Sequence, residues 1–98
     1  MSAINEGIAL MMVKTRLNRL PQDTTLDDYL YARIDAAVQA IEATGIILTD
    51  STADLMLVVD YTVWEYQNRD KPGGMPDWLR LRRRERWLQQ RRPDDESG

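Results

Sequence analysis

The chain contains neither cysteine nor histidine. The first absence removes disulfides and thiolate metal sites. The second removes the commonest general base near neutral pH and the commonest transition-metal ligand. Long apolar runs are missing as well, since no stretch approaches the roughly 20 apolar residues that a membrane span needs. The first residues do not read as a secretion signal: Glu6 stands where a basic region belongs, and Lys14 and Arg16 interrupt the apolar run early. No glycine-rich phosphate loop is present, because Gly73-Gly74 lies between Pro72 and Pro76 with no Lys-Ser/Thr following. These absences favour a protein that docks onto something over one that performs chemistry, and no cofactor, metal or membrane is expected.

What is there is a small helical chain with segregated charge. Its 98 residues, 43% of them hydrophobic, suit one domain over residues 1–92 with a polar, disordered tail over 93–98. The net charge is −3, yet residues 22–60 hold eight acids against Arg33 alone, and residues 78–92 hold seven arginines against Glu85 alone. Such asymmetry suits head-to-tail self-association or an acidic partner; the alternative is that the two regions neutralise each other within one molecule.

The pattern predicts an all-α fold, a small bundle of three to four helices ending in a basic helix and a flexible polar tail. The first helix spans about Ala3 to Leu20, with Ile4, Ile8, Met11, Met12, Leu17 and Leu20 as a loose apolar stripe and Pro21 ending it. The second is capped by Thr25 and buries Leu26, Leu30, Ile34, Ala37 and Ile41, with Gly45 as the residue that closes it. Ile46, Ile47 and Leu48 are expected to tuck into the core. Asp50 or Ser51 caps the third, about Thr52 to Asn68, whose Leu55, Leu57, Val58, Val59, Val63 and Trp64 are apolar on more than one side, as in a central helix. The fourth runs from about Pro76 to Gln90, with Pro76 and Asp77 suited to its first turn.

The candidate site is this last helix and its extension: Trp78, Arg80, Arg82, Arg83, Arg84, Arg86, Trp87, Arg91 and Arg92. At about 100° per residue the arginines wrap much of the helix, while Trp78, Leu81 and Leu88 fall near one side. One face is thus expected to anchor to the core and the rest to display guanidinium groups to a protein surface or to phosphates. Solvated arginines paired with the acids of residues 22–60 are the plainer alternative. Asp23, Asp27 and Asp28 match no calcium loop and read as helix-dipole complement. Asp54 and Asp60 do not share a helix face, so no acid/base pair is visible. Trp64 is assigned to the core, and Trp78 and Trp87 to its rim or to an interface.

Asp27-Asp28 open a helix that ends in Ile41-Glu42-Ala43-Thr44-Gly45-Ile46, a run follows from Asp54 through Trp64 to Arg69, and Gly74-Met75-Pro76-Asp77-Trp78-Leu79-Arg80 leads into a basic helix. By these marks, over about residues 10–90, the chain resembles the head–tail connector (adaptor, head-completion) proteins of long-tailed bacteriophages and prophages. The arginine density after Leu79 departs from the family's layout. The resemblance implies a structural virion protein at the head–tail interface, found in host cytoplasm during assembly. It would form a ring of copies beneath the portal protein after DNA packaging and present the docking surface for the next head-completion (stopper) or tail protein. Contact with packaged DNA is the further partner to consider, with the arginines expected mainly at protein contacts. The alternative is a small nucleic-acid-binding regulator using the arginine helix.

Overall fold

The structure, a computed structural model, describes residues 3–71 and 73–90. The expected tail over 93–98, and Arg91 and Arg92 with it, lie outside the described residues. Four helices follow in order, α1 (Glu6–Arg16), α2 (Asp27–Glu42), α3 (Thr52–Gln67) and α4 (Asp77–Gln90), with no strand among the described residues. The all-α bundle is therefore as the sequence predicts.

Helix ends follow local chemistry. Asn5 caps α1, its side chain accepting the Ile8 N–H at 3.0 Å. Pro21 does not set the end of α1, which stops at Arg16. Asn18 adopts φ 61°, and the Asn18 and Arg19 amides donate back to Thr15 O (3.1 Å) and Lys14 O (2.8 Å). This is a Schellman closure, which a short polar side chain tolerates in the left-handed region. Thr25 is not the cap of α2. That position is Leu26, without a side-chain bond, while Thr25 N–H goes to Asp23 Oδ1 at 3.0 Å. Ser51 caps α3 by accepting the Asp54 N–H at 3.1 Å.

The core lies among α1, α2 and α3. Leu30, Ile34, Ala37 and Ile41 of α2 are buried as expected, and Leu26 packs at the edge. The stripe on α1 is corrected in part: Ile4 is buried and Met12 and Leu17 pack against the core as expected, and Ala9, Leu10 and Val13 join them, whereas Ile8, Met11 and Leu20 are exposed. Gly7 and scattered methionines blur the periodicity there. Lys14 is buried in the same face, its Nζ donating to Pro21 O and pairing with Asp27, both at 2.9 Å. Ile46 and Leu48 enter the core, but Ile47 between them points outward, as alternation in an extended link requires. Helix α3 is central: Leu57, Val58, Val59, Tyr61, Thr62 and Val63 are all buried, and it packs on the other three helices.

Candidate functional site

Helix α4 lies on α3 by a mainly polar face. Leu79 is its single buried side chain and is fully enclosed. Arg82, Arg86 and Gln90 follow it at spacings of three and four, so they look the same way. Arg86 meets the carboxylate of Asp54 through Nε at 2.7 Å and Nη2 at 3.1 Å, and Nη2 also donates to Ile47 O at 2.7 Å. Gln90 takes the Ile47 N–H at 2.6 Å and donates to Gly45 O at 2.7 Å. Arg82 pairs with Asp60, whose other oxygen receives Arg16 of α1 at 2.6 Å.

Both acids are buried at the base of these contacts. Asp54 sits three residues after its cap, Ser51, and also accepts the Thr49 N–H at 2.7 Å and the Thr49 hydroxyl at 2.8 Å. Burial alone pushes its carboxyl up, but the hydrogen bonds from Arg86 and Thr49 outweigh burial and hold it below the ordinary aspartate value. Tyr61, buried nearby in α3, is pushed up by burial and by Glu65, against the opposing pull of Arg83 and Arg33.

The consequence is a helix turned the opposite way from expectation. Trp78, Leu81 and Leu88 do not anchor to the core; they are 49%, 55% and 42% exposed. Two of the predicted site arginines, Arg82 and Arg86, pair within the same molecule with acids of the 22–60 region, so the plainer alternative applies to them. Arg80 pairs along its own helix with Asp77. Arg83 and Arg84 form no ion pair among the described residues. They line a cleft of about 300 Å³ with Thr44, Arg80, Leu81 and Trp87. Trp87 is half-buried, and its indole Nε1 would lie 3.2 Å from a Cβ at Gly45, whose φ is +100°. That glycine is needed twice: for the left-handed turn and for room beneath the indole.

Asp54, Asp60 and Gln90 were missed as functional residues by sequence reasoning. The signal for Asp60 was an acid set between Val59 and Tyr61 in a helix apolar all round, which demands a buried partner. For Asp54 it was the Ser51-x-x-Asp54 spacing of a capping motif. A second apolar surface, a groove of about 400 Å³, runs between α1 and α3 along Ile8, Met11, Met12, Met56 and Val59. Among the described residues no cluster of acids could hold a metal ion, and no helix is long and apolar enough to cross a membrane. Compared with protein-family models, with curated proteins and with solved structures, the chain matches none.

Proposed function

We propose that this chain is a structural docking subunit, a head–tail connector of a long-tailed bacteriophage or prophage. It assembles as a ring beneath the portal protein after DNA packaging and offers the surface on which the next head-completion or tail protein sits. The observation that carries the reading is the orientation of α4, whose polar side is clasped inward while Trp78, Leu81 and Leu88 face outward beside Arg83 and Arg84. An apolar ridge bordered by cations is the makeup of a protein contact, in which Trp and Arg act as anchors. Its place in the virion rests on the resemblance in residue layout described above.

Contact with DNA is the weaker use of the same helix, because Arg82 and Arg86 are already committed to Asp60 and Asp54. The test is recovery of the tagged protein from a lysate making phage particles, with nuclease treatment, followed by identification of what accompanies it. Portal or head-completion proteins that survive nuclease support the connector. Nucleic acid alone, lost on nuclease treatment, overturns it in favour of a regulator, whose affinity would fall steeply with salt.

A further inference from the structure

We propose that the outer face of α4 docks onto the outer face of α2 in a second copy of the chain, head to tail. This names the copy-to-copy contact within the connector reading and rests on that reading for its use in the virion. On α4 the outward positions are Leu81, Arg84 and Leu88, spaced by three and four, with Trp78 beside them and all but Arg84 apolar. On α2 the outward positions are the exposed Asp28, Ala32, Asp35 and Gln39, with the half-buried Glu42 ending the row, at the same alternation of four and three. This is the spacing with which two helices interlock side chains along a shared seam.

Charge selects the occupant. Asp28, Asp35 and Glu42 form no salt bridge among the described residues, and neither do Arg83 and Arg84, so each face carries charge that no described residue pairs. Asp35 accepts the Gln39 amide at 2.9 Å. Between the acids lie Ala32 and Ala36, both exposed and small, which leave room for Leu81 and Leu88 to approach. The helices match in length, with 16 residues in α2 and 14 in α4. Within one molecule the two faces cannot meet, because each is turned away from the side on which its helix packs. The contact joins two different surfaces and leaves one of each free on every pair, so it propagates and closes into a ring where the rotation allows.

The test is sedimentation equilibrium of the purified full chain up to about 1 mM, high enough to register millimolar dissociation constants. Mean mass should rise above the 11.4 kDa of one copy and return toward it in about 1 M salt, where the screening length is near 3 Å. Arg83→Glu/Arg84→Glu and Asp35→Arg/Glu42→Arg should each stay monomeric alone, and an equimolar mixture should associate again, since each variant supplies the face the other has lost. Leu81→Asn, which leaves every charge in place, should weaken association about tenfold. A wild-type chain that remains monomeric throughout, association untouched by either reversal, or no rescue on mixing overturns the contact. A monomeric chain that still brings down portal proteins removes this contact and spares the connector; an assembling chain that captures no head protein does the reverse.

Discussion

Replacing Arg86 by Met tests whether α4 is held by charge. The substitution keeps most of the apolar stem and removes the guanidinium that meets Asp54 at 2.7 and 3.1 Å. Asp54 is 1% exposed, so its carboxylate would be left in the interior without a counter-charge. Breaking a buried pair on one side costs about 3–5 kcal/mol. The lower end applies here, because the Thr49 amide and hydroxyl still donate to Asp54 and Arg86 itself is not fully enclosed. A loss of about 3 kcal/mol lowers the melting temperature of a domain this size by about 10–20 °C. Urea unfolding followed by far-UV circular dichroism measures it, and Asp54→Asn/Arg86→Met should recover about half, since neither charge is then stranded. A loss below about 0.5 kcal/mol, typical of solvated pairs, would refute the idea that this pair is the clasp.

Acid should release the same contact. The folded Asp54 carboxyl ionises at lower pH than the unfolded one, so its contribution is complete above about pH 5 and fades below the unfolded value of about 3.9. Thermal melts from pH 7 to 3 should show an acid limb that is shallower in Arg86→Met. Leu79→Ala should cost about 2–4 kcal/mol in urea unfolding, because this is the one fully buried side chain of α4. Gly45→Ala should cost about 1–2 kcal/mol and shift the emission of Trp87, since it strains a turn at φ +100° and presses a methyl to 3.2 Å from the indole.

Much of the bundle is legible in residue order. Leu30, Ile34, Ala37 and Ile41 repeat at helical spacing, and a helix as apolar as α3 has to lie in the middle. The failures have physical causes. Periodicity cannot tell which face of α1 is inward when Ile8 and Met11 compete with the small Ala9 and the longer Leu10. The orientation of α4 was hidden for a deeper reason: its apolar stripe is a sound argument for burial, and it is overruled by two acids more than twenty residues away in sequence. Asp54 and Asp60, which do not share a helix face, nevertheless both reach α4, at arginines one turn apart. Single-residue properties do not encode that pairing; only the third dimension brings it out.

Asp60 has a mechanical consequence. One carboxylate receives Arg16 from the first helix and Arg82 from the last, while its backbone belongs to the central one. The first and fourth helices are thus tethered to a common post, and a load applied to either is shared across the bundle without passing through the linking turns. In a molecule 51 Å long and 20 Å thick, that post ties together elements from opposite ends of the chain. Substituting this single side chain therefore loosens two helices at once.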